Sequence, residues 1–439
     1  MTAKRIIVIG AGAGGMMAAG RAAELGAPVL LLEKTDGPAK KLLISGKTRC
    51  NVTNARELDE FIAMYGPNGR FLYRAFSRFF RDDLLLFLKR YGVATKTEDN
   101  GRIFPASDDA RDVVRALRKY MDENGVELRT NAKVTAINVD GGKVASVQTE
   151  KETFPASAVI LATGGSSSPG TGSSGDGYRM AAALGHTIVK LRPALVPLAV
   201  REAALAKSMQ GVSLSNVRLT AYQCTTDDID MSKTPKRDCG RGIPGRKPAA
   251  PVIESRSGEL MMTHSGIGGP TTLLMSLAIV DALERDPVSV SIDMYPQADE
   301  NQLRKQLQND LDRHGKKSYR NILGELLPQK MIDPFVAITG IAPEKRGHEI
   351  TAEERERLLS SLKSLRFNIE GPLPISAAIV TAGGVSLDEI DPYTMASRLV
   401  GGLYFCGEVI DIDADTGGYN LQAAFSTGYV AGDEAARKK

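Results

Sequence analysis

Unbroken apolar runs, rather than alternating ones, mark the start of the chain. "RIIVIG" and "APVLLLEK" read as parallel strands covered on both faces, and "GGMMAAGRAAELG" between them changes to small, helix-favouring residues. This order predicts a strand–helix–strand unit of about thirty residues. In "FLYRAFSRFFRDDLLLFLKRY", residues 71–91, aromatics and leucines fall among Arg and Lys at helical spacing, which predicts one or two helices with an apolar face in the core and a solvated basic face. Residues 108–125 repeat that pattern and end at Gly125. The stretch 126–165 then reads as several short strands, with "DGG" as a hairpin turn.

The texture changes near residue 192. "PALVPLAVREAALAKSMQGVSLSNVRLTAYQC" and "VSVSIDMY" read as strands, whereas "ENQLRKQLQNDLDRHG" and "TAEERERLLSSLKSL" read as helices. After "PLPISAAIVTAGGV" the mixed α/β pattern returns. The expected architecture is therefore α/β: one domain in two parts, 1–191 and 375–439, split by an inserted α+β region, 192–374, that is β-barrel-like with a helical part at about 299–362. A length of 439 residues agrees, since single cores stop growing at ~250 to 300 residues.

Composition narrows the class. Hydrophobic residues at 42% and charged residues at 25% are ordinary for a globular chain, while 44 glycines point to many backbone positions that a Cβ would block. A net charge of +4 attracts anions but falls short of a nucleic-acid footprint. Cysteines at 50, 224, 239 and 406 have no Cys-x-x-Cys spacing, so neither a zinc knuckle nor a disulfide scaffold is expected and a reducing cytoplasm fits. Histidines at 186, 264, 314 and 348 lack metal-ligand spacing, so no metal is expected. The apolar run at 271–283 is too short to span a bilayer, and the run after "MTAKR" is too short for a signal peptide, so no membrane partner is expected.

The chemistry begins in "VIGAGAGG". Gly10 permits a tight strand-to-helix turn, Gly12 lets the backbone approach a pyrophosphate, and Gly15 lets the helix pack closely on the strand; Gly14 lies in the same turn. The opening helix aims N–H groups and a positive dipole end at the phosphates. Glu33 closes the second strand 18 residues after Gly15, where an acid accepts ribose hydroxyls, and Lys34 follows it. NAD and FAD share this half of a Rossmann-like site, so it does not separate them. A second Gly-x-Gly-x-x-Gly, at Gly240, Gly242 and Gly245 in the basic stretch 232–251, follows no strand; it reads as a surface loop, or as an anion-attracting flap.

"GGLYFCGEVIDIDADTGGYNLQAAFSTGYVAGDEA", residues 401–435, again runs strand, glycine-rich turn and helix. Together with "GAGAGG", "KKLLISGKTRCNVTN", "ILATGGSSSPGTGSSGDGYRMAAALGH" and "MTHSGIGGP", it resembles the BaiN-like family of bacterial NAD(P)/FAD-dependent oxidoreductases over nearly the whole chain. The resemblance implies a non-covalently bound FAD. It implies that Gly407 and Glu408 meet the ribityl and phosphate region and that Gly418, Tyr419, Asn420, Leu421 and Gln422 open a helix aimed at the flavin pyrimidine ring. It places Lys41, Ser45, Gly46, Arg49, Cys50 and Asn51 in the ring-contacting segment, Val134 where backbone holds adenine, and Ala162, Thr163 and Gly164 at a strand end sealing the nucleotide. Lys47 and Thr48 depart from the family's glycines, and Ser166 stands where a lysine is common.

His264, which the resemblance turns toward the flavin, is a candidate proton donor to a substrate carbonyl, and Arg49 a candidate for orienting an anionic substrate; a loop-shaping histidine and an ion-paired arginine are the structural alternatives. Cys50 lies where disulfide reductases carry a redox pair, but Ala55 occupies the partner's place, so a dithiol relay lacks its second thiol. The expected activity is hydride transfer through FAD between NAD(P)H, visiting transiently, and a small organic substrate with an activated double bond. Oxidation of a small amine or ketone by oxygen is one alternative, a flavoprotein devoted to RNA binding another, and a flavin-free pyridine-nucleotide dehydrogenase a third; the oligomeric state is not readable.

Overall fold

The computed structural model describes residues 5–228 and 251–437. The chain divides into two compact units, one of residues 1–194 with 378–439, the other of residues 195–377.

The first unit is built on a seven-stranded sheet. Its parallel part runs in the order Glu127–Arg129, Val29–Leu32, Arg5–Ile9, Thr153–Leu161, Leu403–Phe405. Val134–Asp140 and Lys143–Thr149 extend it as an antiparallel meander onto Thr153–Leu161. The "DGG" turn joins these two strands with Gly141 at φ +55° and Gly142 at φ +74°, the left-handed pair that a two-residue hairpin requires. Buried Ile, Val and Leu fill both faces of the central strands, as their unbroken apolar runs demand.

The first helix, Ala13–Glu24, lies against the last, Tyr419–Arg437. Glycine permits this contact: a Cβ on Gly428 would stand 2.3 Å from the Gly14 carbonyl oxygen, and one on Gly432 the same 2.3 Å from that of Ala18. Backbone therefore meets backbone between opposite ends of the chain. The Asp433 carboxylate locks the seam, accepting from Arg21 Nε at 2.9 Å, Arg78 Nη2 at 2.5 Å and Arg437 Nε at 2.7 Å. The chain leaves and re-enters this unit through the antiparallel pair Arg192–Ala194 and Val380–Ala382.

The second unit holds a closed six-stranded barrel, in the order Leu198–Val200, Gly266–Gly268, Val252–Met262, Ser213–Tyr222, Ser289–Asp293, Leu365–Pro372. Its helices include Glu300–Arg313 and Ala352–Lys363, both opened by capping boxes, at Asp299 and Thr351. Two local readings are corrected. Ala203–Ser208, taken as strand, is a helix, because "AALAKS" holds helix-favouring residues and no β-branched one. Gly266–Gly268, taken as loop, is a barrel strand; a Cβ on Gly266 would meet the Leu198 carbonyl oxygen at 2.1 Å, so close strand approach explains the glycine. No helix among the described residues is long and apolar enough to cross a membrane. The basic stretch 232–250, with its second glycine motif and Cys239, lies outside the described residues.

Candidate functional site

Four parallel strands of the first unit end in register. Ile9 stands beside Leu32 on one side and Leu161 on the other, and Phe405 beside Leu161. The residues that follow are Gly10, Glu33, Ala162 and Cys406, so candidates from across the sequence meet along the carboxyl edge where open α/β sheets take ligands.

The glycines of the first turn do different work. Gly10 has φ +99°, and a Cβ there would stand 2.5 Å from the Ala162 carbonyl oxygen. On Gly15 a Cβ would stand 1.9 Å from the Gly10 carbonyl oxygen, and on Gly14 3.0 Å from that of Ala424 in the last helix. Gly12 is the exception: its φ is −81°, and a Cβ would meet no protein atom within 4 Å. No side chain caps the first helix and its first turn holds no acid, so its end N–H groups face a cradle suited to a diphosphate.

Glu33 is buried beside this turn. Its Oε2 accepts from the Ala11 N–H at 2.9 Å, and its Oε1 accepts from the Thr35 N–H at 2.8 Å and hydroxyl at 2.9 Å. Oε2 thus keeps a lone pair for a ribose hydroxyl. The Ala132 N–H donates to the Glu33 carbonyl at 2.9 Å, which brings the start of the strand at Val134 alongside. Gly164, at φ +70°, turns the chain where a Cβ would press on Ser173 Oγ at 2.9 Å; Ala162 and Thr163 line the Gly10 turn. Lys34 donates to Asp176 Oδ2 and Ser174 Oγ, both at 2.5 Å, fastening the serine- and glycine-rich turn. Burial opposes ionisation of Asp176, but Lys34 and Ser174 outweigh it and hold its carboxyl below the ordinary range.

A second cluster joins the segment after Glu33 to the start of the last helix. Gly46, Lys47, Thr48 and Cys50 all have left-handed backbone, with φ from +57° to +67°. Gly418 has φ +95°, and a Cβ there would stand 2.4 Å from the Thr53 carbonyl oxygen; Asn54 Nδ2 donates to the Gly417 carbonyl at 3.0 Å. Asn51 Oδ1, Thr53 Oγ1 and Gln422 Oε1 are buried there without partners. Orphaned acceptors of this kind are costly unless a donor arrives. They fit a heterocycle bearing N–H groups, as a flavin does.

Other predicted side chains are engaged in shaping this region. Tyr419 packs edge-on to Phe61 with ring centroids 4.7 Å apart, and its carbonyl accepts from Tyr65 at 2.6 Å. Asn420 closes on Ala414 through Oδ1 at 3.0 Å and Nδ2 at 2.8 Å. Leu421 is partly buried. Ser45 Oγ donates to the Leu42 carbonyl at 2.7 Å. Arg49 donates to Glu98 Oε1 at 2.6 Å and lies over the Phe104 ring at 4.0 Å, so its charge is already matched. Burial pushes the fully enclosed Cys50 thiol up to about 12, the wrong direction for a nucleophile.

Glu408 gathers residues that sequence reasoning missed. Its Oε2 accepts from Lys41 Nζ at 2.6 Å, and its Oε1 accepts from the Thr381 N–H at 2.9 Å and the Ser167 hydroxyl at 3.1 Å. Thr381 and Ser167 are fully buried. Nothing in either local pattern separates them from ordinary turn residues; only the glycines beside them hinted at close packing. Glu408 and Gly407 also border a recess of about 260 Å³ toward Asn420, Ala423 and Thr427 of the last helix. The predicted His264 belongs to the barrel unit, exposed on the bend between Val252–Met262 and Gly266–Gly268.

The HI0933-like protein Rossmann domain family matches residues 4–434. The chain is 32% identical over 437 residues to the 3-dehydro-bile acid delta(4,6)-reductase of Clostridium scindens, covering 99% of each protein. It is 29% identical over 430 residues to the ribosomal RNA dihydrouridine synthase of Escherichia coli, covering 98% of this chain and 97% of the other. Among solved structures, the 3-ketosteroid-delta4-(5alpha)-dehydrogenase of Rhodococcus jostii RHA1 is similar in fold, with a TM-score of 0.50 and 14% identity over 100% of this chain and 98% of that one. With a nucleotide cradle and a ring-facing helix start brought to one sheet edge, this chain belongs to the HI0933-like Rossmann-domain family and is an FAD-dependent oxidoreductase.

Proposed function

We propose that this oxidoreductase uses NAD(P)H to reduce a carbon–carbon double bond conjugated to a carbonyl in a small organic substrate. The observation that carries the reading is the meeting, in one compact unit, of the open Gly12 turn, Glu33 and the orphaned acceptors Asn51, Thr53 and Gln422. Supporting it, the Clostridium scindens relative is named for reducing the delta(4,6) bonds of a 3-dehydro compound, and the Escherichia coli relative for making dihydrouridine. Both names describe saturation of a bond conjugated to a carbonyl.

When bound, the flavin supplies two-electron chemistry between donor and acceptor. In this reading Gly10, Gly12, Gly14 and Gly15 shape the diphosphate turn, Glu33 holds the adenosine ribose, the Val134 backbone meets adenine, and Ala162 to Gly164 close the nucleotide end. The segment Ser45 to Asn51 and residues Gly418 to Gln422 hold the ring. The N-terminus of the last helix presents its positive dipole end, which favours an electron-rich ring. The enclosed Cys50 thiol stays protonated and packs. His264 is the proposed proton donor to the substrate carbonyl, and Arg49 braces its turn. NAD(P)H visits transiently, because the sequence holds no second strand–turn–helix fingerprint for it.

A second reading places the conjugated bond in uracil within RNA. It is favoured by identities of 29% and 28% to two proteins named ribosomal RNA dihydrouridine synthase and by the basic stretch 232–251.

The test is anaerobic mixing of the yellow protein with NADH or NADPH, followed by a conjugated enone, a uridine-bearing ribosomal RNA fragment, or oxygen. Bleaching by a nicotinamide and recovery of colour on adding the enone is the expected result. Recovery only with RNA selects the second reading, and recovery only with oxygen refutes both in favour of an oxidase.

A further inference from the structure

We infer that Lys41 is a positioning residue that acts through Glu408: the two form one electrically neutral unit that receives a single hydroxyl of a polyol, the ribityl chain of FAD. The inference rests on the reading that FAD is held at this edge. It differs from the expectation that Lys41 touches the flavin ring.

A carboxylate offers about four acceptor sites. Three of those on Glu408 are filled, by Lys41 Nζ at 2.6 Å, the Ser167 hydroxyl at 3.1 Å and the Thr381 N–H at 2.9 Å. One remains. An ammonium has three protons, and Lys41 directs them to Glu408 at 2.6 Å and Ser167 Oγ at 2.8 Å, which leaves one. The pair therefore presents one acceptor and one donor side by side, the complement of a hydroxyl, which is both.

The surroundings hold this geometry rigidly. Thr381 Oγ1 accepts from the Ser166 N–H at 2.9 Å and the Ser167 N–H at 3.1 Å, tying the turn at Gly165 to Glu408. A Cβ on Gly165 would stand 2.5 Å from Thr381 Oγ1 and 2.9 Å from Glu408 Oε1, so only glycine lets the turn close. Lys41 follows Ala39, whose N–H donates to the Ala11 carbonyl at 2.8 Å, so its helix is anchored to the diphosphate turn. Charge balance supplies the reason for the pairing. A lone carboxylate this close to the cradle of an anionic diphosphate would repel it, and an opposite charge at hydrogen-bond distance cancels that field.

The experiment measures FAD release from the holoprotein by the rise in flavin fluorescence, comparing Lys41→Met, Lys41→Gln, Lys41→Arg, Glu408→Gln and the Lys41→Met/Glu408→Gln double variant. Thermal melting of each apoprotein verifies folding. Expected are release about tenfold faster or more in Lys41→Met and Lys41→Gln, near wild-type release in Lys41→Arg, and slower release in the double variant than in Lys41→Met alone. That last reversal is what loss of a merely structural contact would not produce. Release unchanged in both neutral Lys41 variants, or further accelerated in the double variant, overturns the inference. A wild-type protein that never retains FAD would instead overturn the reading beneath it.

Discussion

Replacing Gly12 with alanine separates the fold from the cradle. The residue has φ −81° and ψ −173°, a conformation any L-residue adopts, and the added methyl would meet no protein atom within 4 Å. Two small terms then oppose each other in the empty protein. Alanine restricts the unfolded chain, a gain of about 0.4–1 kcal/mol, but caps a helix less well than glycine, a loss of similar size. The apoprotein should keep its stability to within about 1 kcal/mol. FAD should suffer, because the methyl occupies space through which the diphosphate approaches the first-turn N–H groups; a loss of about tenfold to a hundredfold in affinity, ~1.4–2.7 kcal/mol, is expected. Gly15→Ala is the contrast: its methyl would stand 1.9 Å from the Gly10 carbonyl oxygen, backbone that no rotamer change can move aside. It should destabilise even the apoprotein, by roughly 1–3 kcal/mol or more. Urea unfolding of the apoproteins and fluorescence titration with FAD measure the two effects separately. If Gly12→Ala binds FAD as tightly as the wild type, or unfolds as readily as Gly15→Ala, the space beside Gly12 is not the diphosphate cradle.

Asp433→Asn should cost about 3 kcal/mol in urea unfolding, since the fully buried carboxylate is shared by Arg21, Arg78 and Arg437. Burial opposes ionisation of Asp433, yet Arg21 and Arg437 hold its carboxyl below the ordinary range, so its contribution is present above about pH 4 and lost as pH falls through the lower folded value; a pH series showing no such loss relative to the variant argues against it. His186 is buried, and burial lowers its pKa against the pull of the Ala181 carbonyl. The unfolded chain therefore takes up the proton first, and stability should decline as pH drops below about 6.5; His186→Phe should flatten that slope in unfolding midpoints. Cys50→Ala should keep turnover within about twofold, because a thiol pushed up to about 12 by burial supplies no thiolate at neutral pH. A collapse of turnover with folding and FAD content preserved would return Cys50 to the chemistry.

The nucleotide end was legible because each part is local. An apolar run, three spaced glycines, a small-residue helix and an acid closing the next strand all lie within residues 5–33, and the structure shows the steric reason for Gly10 and Gly15 directly. The hairpin at Gly141 and Gly142 was legible for the same reason, since its turn demands positive φ at neighbouring positions. Ala203–Ser208 and Gly266–Gly268 were misread because barrel closure, not local preference, decides whether a short stretch between strands coils or pairs.

The amino-acid order alone determined the cofactor class, since phosphate-binding turns and strand-terminal acids are written in contiguous residues whose conformational limits are intrinsic. Only the folded chain decided which distant side chains share a charge. Lys41 reaches Glu408 across 367 positions, with Ser167 and Thr381 completing the cluster, and Arg49 spends its charge on Glu98 rather than on a ligand. Ion pairs depend on separation in space, and spacing along a chain says nothing about that until strands such as Arg5–Ile9, Thr153–Leu161 and Leu403–Phe405 bring their ends into register.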